Sequence, residues 1–229
     1  MRTTNEIFLF RSIPLNTYSG TFNRPLLGHS PNPQKGKTPM ILEFLYSQNE
    51  RIRGEPIDHY RYPIGHFEPI DSPTAEQRSR CIEEIKEIPS ILRLAVQNLT
   101  MEQLLTPYRP GGWTVLQVVH HMADNDMNAY IRFKRGLTED SPLAGSYRED
   151  LWAERSDYRT PVETSLVLLE SLHIRFADLL RSLHSSDFKR TFTSLTHGVM
   201  SLNVATQRYA WHGRHHIAQI VSLKERMGW

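Results

Sequence analysis

Two histidines four residues apart, His212 and His216, lie near the C-terminus with a third, His215, between them. On a helix, positions i and i+4 stack on one face, so these two imidazoles can reach a single shared point. That is the spacing of a helical metal pair. Counted at about 100° per residue, Ala205, Tyr209, Ile220, Leu223 and Met227 fall on the same side, whereas His215 turns outward or to the rim. The pair is therefore expected to face a packed interior, as metal ligands or, on the plainer reading, as hydrogen-bonded core histidines. Gly213 costs about 1 kcal/mol relative to alanine inside a helix, which predicts that another element approaches closely there.

A third ligand can come from the adjacent pair His120 and His121. Neighbours on a helix point about 100° apart, so the two cannot both serve one interior site. His120 falls roughly opposite Val118, while His121 lies at the edge of the stripe made by Val115, Val118, Val119, Met122, Ala129 and Phe133. His121, His212 and His216 are thus the candidate ligands, and three suffice for a catalytic site that keeps a position open. Imidazoles alone suit zinc, nickel, copper and iron. With no carboxylate ligand the ion keeps its full charge, which brings water in the open position to a pKa of about 7 and deprotonates a thiol outright.

Asn125, Asn128 and Arg132 lie within about 40° of His121 along the following turns. This strip is either a solvated face or a pocket lining in which the amides orient a substrate and Arg132 holds an anionic group. Asp124 and Asp126 point further away, so no general base is assigned. His29, His59, His66, His173, His184 and His197 form no cluster.

The elements that must carry these residues are helices. Thr74 with Gln77 forms a capping box, followed by Ile82, Ile85, Ile88, Leu92, Val96 and Leu99 at helical spacing, with Pro89 as a kink. Thr100 with Gln103 repeats the box for a short turn before Pro107 and Pro110-Gly111-Gly112. Thr114 with Gln117 opens the second long helix, expected to end at Gly136. The segment from Leu137 to Thr160, with a short helix around Arg148-Glu154, is long enough to cross the length of a bundle. Thr160-Pro161-Val162-Glu163 then combines an N-cap threonine, proline at the first helical position and a box-completing glutamate. Helix three follows, through Leu166, Leu169, Leu172, Phe176, Leu179, Leu180 and Leu183. After an irregular stretch with a short extended excursion, Ser201 opens helix four. The fold class is all-α, a four-helix bundle with a long crossover between helices two and three.

Residues 1–58 differ from the rest. Pro14, Pro25, Pro31, Pro33, Pro39 and Pro56 interrupt every pattern, and no acidic residue occurs between Glu6 and Glu43. The segment reads as a disordered extension, with a short ordered piece at Met40-Tyr46. It is either a targeting peptide or, preferentially, the product of an upstream start codon. The single cysteine, Cys81, excludes an intramolecular disulfide and a Cys-rich zinc module and fits a reducing cytoplasm. A net charge of +2 without a basic block speaks against nucleic acid. No run approaches the ~18 apolar residues of a membrane span.

From Tyr62 to Trp229 the chain resembles the DinB/YfiT-like family, and within it the YfiT group labelled metal-dependent hydrolases. The resemblance is carried by Tyr62-Pro63-Ile64-Gly65, the run from Thr106 to Val115, Val118-Val119-His120-His121-Met122-Ala123-Asp124 and Asn128-Ala129-Tyr130-Ile131-Arg132-Phe133-Lys134. Trp211-His212 through His216-Ile217-Ala218 and the terminal Arg226-Met227-Gly228-Trp229 complete it. It implies a bundle domain over residues 62–229, a homodimer, and one zinc or nickel ion per subunit held by His121, His212 and His216. The family begins near Tyr62, so it gives the extension no role, and the region around Phe192-Gly198 is shorter than in the family. The implied activity is hydrolysis of a small-molecule substrate. The alternative is S-transfer from a low-molecular-weight thiol of the bacillithiol type, and the third reading is a metal-binding stress protein without turnover. A carboxylate base beside the metal would favour hydrolysis, and a deep pocket with cationic anchors would favour transfer.

Overall fold

Four amphipathic helices bury their apolar faces against one another in the computed structural model, which describes residues 56–229. They are α1 (Ala75–Val96), α2 (Val115–Thr138), α3 (Val162–Arg181) and α4 (Leu202–Met227). The extension expected over residues 1–58 lies outside the described residues, apart from its last three, which belong to a short helix, Pro56–Arg61.

The starts of the helices follow their caps. The Thr74, Thr100 and Thr114 hydroxyls each accept from the backbone N–H three residues on, and the backbone N–H of each threonine donates to the glutamine side chain there in return, and the Ser201 hydroxyl accepts from Val204. Two expectations need correction. Thr160 does not cap α3: its hydroxyl donates to the Asp157 carbonyl, Pro161 occupies the cap position, and Glu163 reaches Arg93 on α1 instead. Gly136 does not end α2, which runs on to Thr138. Its missing Cβ admits Leu202, whose Cδ2 would lie 3.2 Å from one.

Helices α1 and α2 each pack on both α3 and α4, so α1 stands diagonal to α2 and α3 diagonal to α4. The core falls into two apolar clusters. One takes the C-terminal half of α1, the N-terminal halves of α2 and α3 and the C-terminal half of α4; the other takes the opposite halves. Hence α2 runs parallel to α3, and the 139–161 segment must cross the bundle's length. Along it, β1 (Leu143–Ala144) pairs parallel with β2 (Thr191–Ser194), which pairs antiparallel with β3 (Gly198–Ser201). The irregular stretch before α4 thus contains a hairpin.

Between the clusters each of three helices places polar groups on one level: Asn125 and Asp126 on α2, His173 on α3, and His212 to His216 on α4. Gly213 lies there because α1 comes close. A Cβ on Gly213 would stand 2.2 Å from Cδ1 and 2.7 Å from Cγ1 of fully buried Ile88. The Gly213→Ala change would gain helix propensity worth about 1 kcal/mol, yet overpacking costs about 1–3 kcal/mol and Ile88 has no free space. A net loss of stability is expected, read as a lower urea midpoint at unchanged m-value. An unchanged or raised midpoint would show that α1 yields freely.

Candidate metal centre

His121 projects from the second turn of α2 and is 2% exposed; His216 is 8% exposed and His212 half-buried. Their Nε2 atoms converge. His212 Nε2 stands 3.3 Å from His121 Nε2 and 3.1 Å from His216 Nε2. Potential ligand atoms of all three lie within 4.8 Å of one another. Burial first, and then repulsion from neighbouring imidazoles, holds His121 and His212 well below the ordinary imidazole value. Burial brings His216 down to about 4, against a hydrogen bond donated to the Gln219 amide oxygen that opposes it. The rings are therefore neutral at pH 7, the form that offers a lone pair to a metal.

Outer contacts set where those lone pairs point. Fully buried Gln219 donates its amide nitrogen to the Arg61 carbonyl at 2.9 Å and to His215 Nε2 at 2.9 Å. A carbonyl only accepts, so the amide oxygen must face His216, 2.9 Å from its Nδ1. The His216 proton is thereby held on Nδ1 and Nε2 is left bare, the outer-shell orientation expected of a metal ligand. Asn125 donates to Asp126 at 3.0 Å and so presents its amide nitrogen to His212 Nδ1 at 3.2 Å, which places the His212 proton on Nε2, in the gap among the three Nε2 atoms. Bare nitrogens this close repel unless a proton or a cation lies between them, so the donor set fits a divalent ion.

The triad forms part of the wall of an open cavity of about 330 Å³. Trp113 covers His121 with ring centroids 4.6 Å apart, carried by a loop closed by Tyr108 N–H to the Trp113 carbonyl at 2.9 Å. The loop is fastened by Arg226, which donates to the Tyr108 carbonyl at 2.6 Å. Gly112 is required because a Cβ there would meet Arg109 Cγ at 2.8 Å. On the other wall Trp211 stacks on His215, centroids 4.7 Å apart. Arg61 and Arg109 also line the cavity, as does Glu149 on its rim. Glu149 is an exposed residue, and partial covering of its carboxyl, then the charge of Asp150, raises it above the ordinary value.

Residues 84–220 match the family model described as the DinB superfamily. This chain belongs to the DinB superfamily. It is 49% identical over 169 residues to a "Putative metal-dependent hydrolase" of Bacillus mycoides (strain KBAB4), a match spanning 74% of this chain and 98% of that protein. A protein of the same name from Bacillus cereus (strain ATCC 10987 / NRS 248) is 50% identical over the same shares. The structure of YfiT from Bacillus subtilis, described as a "probable metal-dependent hydrolase with an unusual four-helix bundle topology", superposes with a TM-score of 0.73 at 47% identity. It covers 75% of this chain and 99% of that one.

Within this DinB superfamily bundle the residues singled out above are placed as follows. His121, His212 and His216 meet at one point. Asn125 touches the centre through His212. Asn128 donates to the Asp124 carbonyl at 2.8 Å, and Arg132 to the Tyr209 hydroxyl at 2.9 Å and the Gly145 carbonyl at 2.8 Å. Neither of these two lines the cavity under the triad. His120 is buried but committed to α3, 2.7 Å from the Ser165 hydroxyl. His215, expected outward or at the rim, is 6% exposed, and Met227, expected inward, is 52% exposed. Glu149, Gln219 and the Asp126 and His173 pair escaped the sequence reading. Only Glu149 had a signal there, its place in an unusually long crossover.

Proposed function

We propose that this chain is a metal-dependent hydrolase of a small-molecule ester or amide, with one zinc or nickel ion held by His121, His212 and His216. The observation that carries this reading is the convergence of three neutral Nε2 atoms in the wall of an open cavity with a carboxylate on its rim. When bound, the ion would polarise a carbonyl and make water a nucleophile near neutral pH. Gln219 holds His216 in the ligating tautomer, and Trp113 and Trp211 wall the reacting centre from bulk water. Glu149, whose raised proton affinity suits an acid–base group, accepts and returns the proton. A purely structural metal centre would close with a fourth protein ligand. Among the described residues only three histidines meet, since His120 is bonded to Ser165 and His215 to Gln219. Action as a cytoplasmic homodimer belongs to the same reading; no helix among the described residues is long and apolar enough to cross a membrane.

Arg61 and Arg109 on the cavity wall favour one second reading, transfer of a low-molecular-weight thiol to an electrophile. A panel of activated esters and amides, assayed on metal-loaded protein with and without thiol, separates the two. Thiol-independent hydrolysis is expected, lost on chelation and reduced about 100-fold in kcat by Glu149→Gln with metal content unchanged. Turnover that strictly requires the thiol would replace hydrolysis by transfer.

A further inference from the structure

The cavity that holds the triad is also walled by two arginines, neither of them on a long helix. Arg61 ends the short helix Pro56–Arg61, and Arg109 belongs to the loop that carries Trp113. On the long helices Arg93, Arg135, Arg181 and Arg214 each pair with a glutamate. Among the described residues, Arg61 and Arg109 form no ion pair, although Glu149 lines the same cavity.

Arg109 is built into place. Its Nε–H donates to the Tyr108 hydroxyl and its Nη1 to the Pro110 carbonyl, each at 3.0 Å, which leaves Nη2 with its protons unspent. The arm lies across Gly112, where a Cβ would stand 2.8 Å from Arg109 Cγ and 3.0 Å from Tyr108 Cε1. A guanidinium fixed in this way loses little freedom on binding, so its remaining donors are ready for an anionic oxygen. The Arg61 guanidinium lies 5.4 Å from the centroid of the Tyr62 ring, and that ring stands 5.6 Å from His215 beside the triad.

The rest of the cavity sets the class of ligand. A volume of about 330 Å³ is at the lower end of ligand pockets, roughly 300–1,000 Å³, and suits a small molecule. Tyr62, Trp113 and Trp211 line it and are half-buried, which favours a flat apolar body. With the histidines neutral, two guanidiniums against one carboxylate leave the walls a single net positive charge. One carboxylate on the ligand balances it.

We propose that Arg109 and Arg61 form a carboxylate subsite in the cavity of the triad, and that the substrate is a small aromatic monocarboxylate held by that end while the other reaches the histidines. This deepens the hydrolase reading and rests on it only for which bond reacts.

The test is a calorimetric titration of the full chain with benzoate, and with benzyl alcohol as the neutral probe. Metal-loaded and metal-stripped protein are both used, so that binding to the ion is told apart from binding to the arginines. Metal-stripped wild type should bind benzoate about 10-fold or more above benzyl alcohol, and Arg109→Gln should weaken benzoate about 10- to 100-fold. Arg109→Lys keeps the charge but loses the fork, and should fall between the two. Arg61→Gln should weaken benzoate about 10-fold. Arg61 is exposed, so this variant serves if the Arg109 variants do not fold, as judged by circular dichroism. Arg155→Gln removes an exposed arginine outside this cavity and should change nothing. The subsite is overturned by a flat benzoate titration of metal-stripped wild type, by benzyl alcohol binding as tightly, by an equal loss in Arg155→Gln, or by wild-type affinity in the folded Arg109 and Arg61 variants. Tighter binding of inorganic phosphate than of benzoate overturns the carboxylate assignment. Metal uptake and thiol-independent hydrolysis are scored separately, so failure of the hydrolase reading is not mistaken for failure of the subsite.

Discussion

Replacing His212 with alanine should leave a folded protein that no longer retains a divalent ion. His212 is the middle member of the triad, its Nε2 within 3.3 Å of each of the other two. Its loss leaves His121 and His216 with a gap between them and only two ligands, fewer than catalytic zinc sites use. Loss of an outer partner that merely orients a ligand costs about 10–100-fold in metal affinity, and loss of the ligand itself should exceed that. Gln219→Met supplies the comparison, since it removes the acceptor that holds the His216 proton on Nδ1 while leaving three imidazoles. Competition against a chromogenic chelator should rank the proteins wild type, Gln219→Met and His212→Ala in order of falling affinity. Thermal stability should follow, because an ion that binds the folded state alone raises stability by RT ln(1 + [L]/Kd). Chelator should lower the Tm of wild type and leave that of His212→Ala unmoved. Stoichiometric metal in His212→Ala at wild-type affinity would remove the metal centre, and the proposed chemistry with it.

The triad was legible in the sequence because its geometry is helical arithmetic. His212 and His216 share a face by spacing alone, and His121 is separated from His120 by the stripe of Val115, Val118 and Met122. The caps at Thr74, Thr100 and Thr114 were legible for the same reason, since both partners lie within one turn. What was not legible is what depends on distant chain. Thr160 looks like a cap, but Asp157 offers its hydroxyl a nearer acceptor. Gly136 looks like a stop, but its role is to admit Leu202 from a helix 66 residues on. Gln219 has no local signal at all: its importance comes from the Arg61 carbonyl, 158 positions away, which fixes its amide. Gly213 stands between these cases. Its cost in a helix announced a close neighbour, and the structure identifies the neighbour as Ile88.

His173→Leu should be among the most damaging single changes to stability, although His173 lies outside the triad and showed no pattern in the sequence. Pro89 carries no N–H, so the Ile85 carbonyl one turn earlier lacks its usual helical donor. His173 supplies it, with Nδ1 2.5 Å from that oxygen. A carbonyl only accepts, so Nδ1 carries a proton, while Nε2 stands 2.8 Å from Asp126 Oδ2. One more proton must lie in that contact, making a buried imidazolium–carboxylate pair; His173 is 2% and Asp126 4% exposed. Burial alone would lower the His173 pKa. The Asp126 hydrogen bond and charge and the Ile85 carbonyl together outweigh it, so the net shift is upward. Leucine fills much of the same space but strands the Asp126 carboxylate with Asn125 as its one donor, which costs about 3–5 kcal/mol in a buried setting. Adding Asp126→Asn should return part of the loss, because it removes the charge while keeping the shape. A raised folded-state pKa means that this contribution is fully present below the unfolded value of 6.5 and fades as pH rises through the folded one. Urea unfolding at about pH 6 and about pH 9 should therefore show the gap between wild type and His173→Leu narrowing in alkali. A loss below about 1 kcal/mol, or one that does not change with pH, would mean that His173 is neutral and the layer between the two apolar clusters is held by packing alone.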